Sequence, residues 1–238
     1  MELFWIILVV VVASLVKGIT GFGFALIALP PLLIWYPSKF LIPVLLICNL
    51  VASFIIVLQK KDRRLIEKRY HRLIVWGGVF TIFGALTLKF IPDHLMIHVL
   101  SIFFIVLSVL SIVKSKIEIK ISKHAYPIAG AIVGFLTGSV SVSGPPLALF
   151  LHSAKADNQQ FREIFAWFSL VTAIIALVSY GFVGLLSLEI FTTSLWFLPI
   201  LFIGSYIGKR INHKMPASIF KFSSMVLTLI SSLILLLQ

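Results

Sequence analysis

The chain has 238 residues, 60% hydrophobic and only 12% charged, with a mean hydropathy of +1.13. Soluble domains carry about 25% charged residues, so this composition cannot cover a water-soluble fold, and soluble enzymes are excluded. Twenty Lys and Arg against eight Asp and Glu give a formal charge of +12. In a membrane chain such an excess reports loop topology and contact with anionic lipid rather than nucleic acid.

In chain order, the opening stretch from Met1 to Lys17 has Glu2 as its first polar residue instead of Lys or Arg, so it reads as part of the mature fold and not as a secretory signal. It continues as an apolar element, 3–36, that is interrupted by glycine and is longer than one crossing needs. Simple membrane helices are expected over 40–58, 73–91 and 95–113. A second broken element, 125–151, is followed by simple helices over 164–182, 190–208 and 218–237. Cys48 is the single cysteine; it rules out an internal disulfide and a multi-cysteine metal site, and its apolar surroundings predict a packed thiol. The fold class is therefore an all-α integral membrane protein.

An ungapped offset of 120 aligns Gly18 with Gly138, Ala28 with Ala148, Trp76 with Trp196, Gly84 with Gly204 and Lys89 with Lys209. One transmembrane domain built from two repeats, 1–118 and 121–238, is expected, each a broken or re-entrant helical hairpin plus three transmembrane helices. The segment 59–72 holds seven Lys and Arg, and 114–123 holds Lys114, Lys116, Lys120 and Lys123, which predicts both to be cytoplasmic. If 125–151 returns to the side it entered from, the loops with Lys155 and Arg162 and with Lys209, Arg210 and Lys214 are also cytoplasmic, and only Lys39 and Lys89 among the loop cations lie outside. By the same logic 3–36 enters from the opposite face. The repeats are then inverted, both termini are external, and the two bends meet near the midplane.

Each bend carries small and hydroxylated residues: Gly18, Thr20, Gly21 and Gly23 in the first, Gly138, Ser141, Ser143, Gly144 and Pro145 in the second. Glycine lets backbone approach a ligand, and a restarting helix presents N–H groups with partial positive charge, which suits a small oxyanion or carboxylate. The same small residues would also serve close helix packing. Lys17, just before the first bend, either neutralises an anion or snorkels to an interface. Asn49 and, 120 residues later, Ser169 put polar side chains at mid-span, as ligand contacts or helix-to-helix hydrogen bonds. His98 and His152 lie near helix ends, and no carboxylate falls mid-membrane to carry a proton.

The segments GITGFGFALIALPPLL, Gly18 to Leu33, and GFLTGSVSVSGPPLALFL, Gly134 to Leu151, resemble the sulfite exporter TauE/SafE family, also described as the sulfonate uptake permease family. The resemblance covers nearly the whole chain. Gly18, Gly21, Gly23 and Pro30 match the first motif, and Gly134, Gly138, Gly144, Pro145 and Pro146 the second; Ser141 and Ser143 stand where glycine is frequent. It implies a multi-pass transporter of a bacterial or archaeal plasma (inner) membrane that handles sulfite, sulfonates or related sulfur oxyanions. The resulting expectation is a secondary carrier working by alternating access, with an anion channel as the alternative. There is no nucleotide-binding loop, no metal or cofactor motif and no catalytic constellation. Expected partners are the anion and the bilayer, with protons or sodium as coupling ions if uptake runs against the membrane potential; exposed aromatic and small residues leave room for a homo-oligomer.

Overall fold

A computed structural model describes residues 2–58, 68–112, 125–154, 156, 158–212 and 217–237. All elements in it are α-helices: α1 (Glu2–Thr20), α2 (Phe24–Leu32), α3 (Ser38–Leu58), α4 (Lys68–Phe90), α5 (Asp93–Ile112), α6 (Ala125–Val140), α7 (Gly144–Ser153), α8 (Asn158–Phe182), α9 (Leu188–Asn212) and α10 (Ala217–Leu236). Five of the described helices are long and apolar enough to cross a membrane. The basic segments 59–67 and 113–124, with Lys155 and Lys214, lie outside the described residues.

Both apolar stretches marked as broken are broken, at positions 120 apart. α1 stops where Gly21 takes φ +84° and donates its N–H to Lys17 O at 2.8 Å; Gly23, at φ +94°, then opens α2. α6 stops where Ser141 takes φ +57° and donates to Thr137 O at 3.0 Å; Ser143 opens α7. A left-handed residue ends a helix by turning its N–H back to the last carbonyls, a position glycine fills without a Cβ penalty and serine only with strain. The two arms of 3–36 are unequal. α1 runs on to Thr20 as a candidate crossing of 19 residues, whereas α2 has 9 residues, about 14 Å. Pro30 and Pro31 lie in its last turn and leave Leu26 O and Ile27 O without their helical donors.

The chain forms two compact units, and each takes segments from both sequence halves. The first contains 1–48, 91–116 and 187–238; the second contains 49–90 and 117–186.

In the first unit α1 lies on α9 and α5 on α10. A Cβ on Gly18 would stand 2.8 Å from Ser205 Cα, and one on Gly204 2.5 Å from Ser14 Cβ. Ser205 donates its hydroxyl to Ser14 O at 3.3 Å. Cys48 is buried, its Sγ 4.0 Å from Ser194 O, as a packed thiol should be.

In the second unit α4 lies on α6 and α8. Gly130, Gly134 and Gly138, one turn apart, press on Leu73, Gly77 and Thr81, so the two helices run in the same direction at backbone contact. Thr81 donates its hydroxyl to Gly134 O at 3.0 Å. Phe168 of α8 fills the space over Gly77, within a core of Tyr70, Leu73, Tyr126, Val133, Leu147, Leu151 and Ile164. Lipid tails are as apolar as leucine, so helices in a bilayer associate by close packing and hydrogen bonding of this kind.

Residues 120 apart do the same work in the two units. Gly18 and Gly138 each meet the neighbouring backbone, Gly204 meets Ser14 and Leu15 as Gly84 meets Phe135 and Ser139, and Ser14 O and Gly134 O each accept a hydroxyl. Large apolar side chains face outward, among them Trp5, Trp76, Phe83, Phe90 and Trp196, as a lipid-facing surface requires.

At the start of α3, Ser38 donates both its N–H, at 3.3 Å, and its hydroxyl to Asp93, which ties the first turn of α3 to that of α5. In the turn before it, partial burial and then the carboxylates of Glu189 and Glu2 push the Tyr36 phenol above its ordinary pKa. The folded chain thus holds this proton more tightly than the unfolded one. The resulting stability is complete below the ordinary tyrosine pKa and is lost as pH rises through the folded-state value. In an ultraviolet titration, the phenolate signal that Tyr36→Phe removes should appear above the ordinary tyrosine range and shift down in Glu189→Gln; a signal at the ordinary position contradicts this placement.

Candidate functional site

At the first break, within the first unit, Lys17 is 9% exposed and is the only charged side chain among the described residues that is buried. Its Nζ lies over the Phe24 ring, 5.7 Å from the centroid. The ammonium is thus covered by the fold, beside the first residue of α2. The first intrahelical bond of α2 is Ile27 N–H to Gly23 O, 3.1 Å. Ahead of it lie the N–H groups of Phe24, Ala25 and Leu26, which have no acceptor within the helix, and all three residues are buried. An ammonium and a helix start are thus held together by one aromatic ring. Aromatic contact with a cation contributes about 0.5–2 kcal/mol and fixes its position.

The other candidates at this break have different occupations. Gly21 and Gly23 supply the left-handed turn, and a Cβ on either would meet no atom within 4 Å, so the backbone angle and not crowding demands glycine there. Thr20 places its hydroxyl 2.9 Å from Val16 O and 2.6 Å from Phe22 O; its single proton is committed to holding the bend. Gly18 is accounted for by its contact with α9.

At the second break, within the second unit, the Asn49 amide faces Ser141 O and Oγ, both at 3.5 Å, so it links α3 to the bend. Ser143 caps α7 without a side-chain hydrogen bond. The first intrahelical bond of α7 is Leu147 N–H to Ser143 O, and since Pro145 and Pro146 carry no N–H, Gly144 alone supplies a free first-turn donor. The α7 start is consequently the weaker electropositive terminus of the two. Gly138 is accounted for by its contact with α4. Ser169 is buried, and its hydroxyl has no hydrogen-bond partner among the described residues. His98 and His152 are exposed.

Two residues escaped the sequence reading. Phe24 looks like one more apolar residue, and only its position at i+7 from Lys17, beyond a break, makes it a cation platform. Tyr180 of α8, fully buried, donates its hydroxyl to Gly138 O at 2.6 Å, in the last turn of α6 where the helix break removes the usual donor. Its partner is 42 residues away, and no spacing announces it. Tyr180→Phe should leave that carbonyl unsatisfied at a cost of about 1–3 kcal/mol, visible as a lower melting temperature in detergent; unchanged melting would mean that another donor replaces it.

These features define a multi-pass helical membrane protein with a cation enclosed at one of two helix breaks. The sequence matches the family described as Sulfite exporter TauE/SafE over residues 6–235, and the chain belongs to that family. No curated protein and no solved structure matches it. Membership makes it a transporter and not an enzyme, with a small anion as its substrate and the bilayer as its surroundings, and implies export of sulfite or a related sulfur anion.

Proposed function

We propose that the protein is a secondary carrier that moves sulfite or a related small sulfur oxyanion across the plasma membrane by alternating access. The observation that carries this reading is the buried Lys17 ammonium beside the start of α2. An ionisable group at membrane depth is costly to hold and is kept where it meets a charge of opposite sign. Gly21 and Gly23 let the chain turn there, and the N–H groups of Phe24 to Leu26 add donors for oxygen atoms. Ser141, Ser143, Gly144 with Pro145, and Ser169 are the corresponding candidates at the second break. Asn49 acts through Ser141, and Thr20, Gly18 and Gly138 hold the breaks in shape.

A pair of repeats is supported by the shared offset of both breaks and by the equivalent roles of Gly18 and Gly138 and of Gly84 and Gly204, and their inversion by the distribution of basic residues. The distribution of basic residues supports external termini. Export of an anion is favoured by an inside-negative potential and needs no coupling ion; uptake would need protons or sodium.

The test is reconstitution of the purified chain in vesicles, with uptake of labelled sulfite, thiosulfate, sulfonates and carboxylates measured with and without a proton gradient. Saturable flux with counter-transport is expected. Large conductance without saturation would replace the carrier by a channel, and failure of every anion to move would sink the reading.

A further inference from the structure

The Lys17 site also bears on the charge of what is transported. Among the described residues it is the only buried charge of either sign. The work of bringing an ion into a low-dielectric interior grows with the square of its charge, so a dianion costs about four times what a monoanion does, whereas its attraction to one ammonium only doubles. A monoanion beside Lys17 forms a neutral pair. A dianion leaves a net buried negative charge.

We infer that the transported species is a monoanion, hydrogen sulfite or an alkylsulfonate, with Lys17 as its single counter-charge, and that the sulfite dianion and sulfate are poor substrates. This rests on the transport reading above. Among the described side chains on the elements around Lys17, none supplies a second buried cation. α2 has none. On α9, Glu189, Tyr206, Lys209 and Arg210 are all exposed, and Arg210 is drawn onto Tyr206 by a stacked ring contact and a hydrogen bond. α3 contributes the buried thiol of Cys48, which adds no positive charge. Glu2 is exposed at the far end of α1, and the side chain of Lys221 on α10 lies outside the described residues.

Methanesulfonate and sulfate make a matched pair, since both are tetrahedral at sulfur and differ by a methyl group against an ionised oxygen. With the full chain in vesicles, methanesulfonate should enter at least about tenfold faster than sulfate. Sulfite flux, divided by methanesulfonate flux at each pH so that titration of the protein cancels, should fall from mildly acid to alkaline pH as hydrogen sulfite gives way to the dianion. Flux through protein-free vesicles is subtracted, because acidified sulfite releases membrane-permeant sulfur dioxide. Sulfate entering as fast as methanesulfonate, or normalised sulfite flux indifferent to pH or rising with it, overturns the inference while leaving transport itself intact. If none of these anions moves, the transport reading fails and takes the inference with it.

Discussion

Lys17→Met should reduce anion flux by about a hundredfold or more while the purified protein remains folded. Methionine matches the unbranched length of lysine and suits the apolar walls around it, so packing of α1 against α9 and α2 is preserved. Replacing a buried charge by an apolar side chain of similar volume is commonly neutral or stabilising for a fold. On the proposed mechanism what disappears is the counter-charge of the bound anion, and truncating one partner of such a pair costs about 2–5 kcal/mol, of which about 2.8 kcal/mol is already a hundredfold. Loss of the contact with the Phe24 ring subtracts little, so the melting temperature should move by only a few degrees. Flux near the wild-type level in a folded Lys17→Met protein would remove Lys17 from the site and the main support of the proposed mechanism with it.

Gly134→Ala should be the most damaging single methyl group in the second unit. A Cβ there would overlap the Gly77 carbonyl oxygen and stand 2.6 Å from Gly77 Cα. The obstacle is backbone on a helix already pinned by Thr81, whose hydroxyl bonds both Gly77 O and Gly134 O, so neither side can yield locally. Separating α4 from α6 is then unavoidable, at about 3 kcal/mol or more, expected as loss of monodisperse protein in detergent or a large fall in melting temperature. Gly181→Ala is the control. Its Cβ would have Leu186 Cδ1 at 3.8 Å as its nearest neighbour, and alanine is the better helix former by about 1 kcal/mol, so that variant should be unchanged or slightly more stable. Equal behaviour of the two variants would mean that α4 and α6 are not at backbone contact.

The helix breaks were legible because they are chemical. A left-handed turn selects Gly21 and Gly23, and the Gly144-Pro145-Pro146 run cannot continue a helix from what precedes it, so both interruptions could be read from residue type alone. The arms were not legible to the same degree. Hydropathy measures how much chain suits lipid, whereas a helix stops where carbonyls lose donors, as at Pro30 and Pro31. The glycines were legible as a group but not in their separate duties: Gly21 and Gly23 serve backbone angle, Gly18, Gly134 and Gly138 serve contact, and a missing side chain looks the same in both roles.

Composition and order were enough to determine that the chain is a helical membrane protein, where two of its apolar stretches break, and that it resembles an anion transporter family, because these follow from hydropathy and from the local geometry of glycine and proline. Tertiary structure decided which groups share a site. Lys17 could lie exposed or covered with the same four-carbon stem, and only the packing of α1 against α2 and α9 covers it. Tyr180 joins the second break through a hydrogen bond to a residue on another helix. Such choices depend on which faces meet across the fold, and residue spacing along one helix does not carry that information.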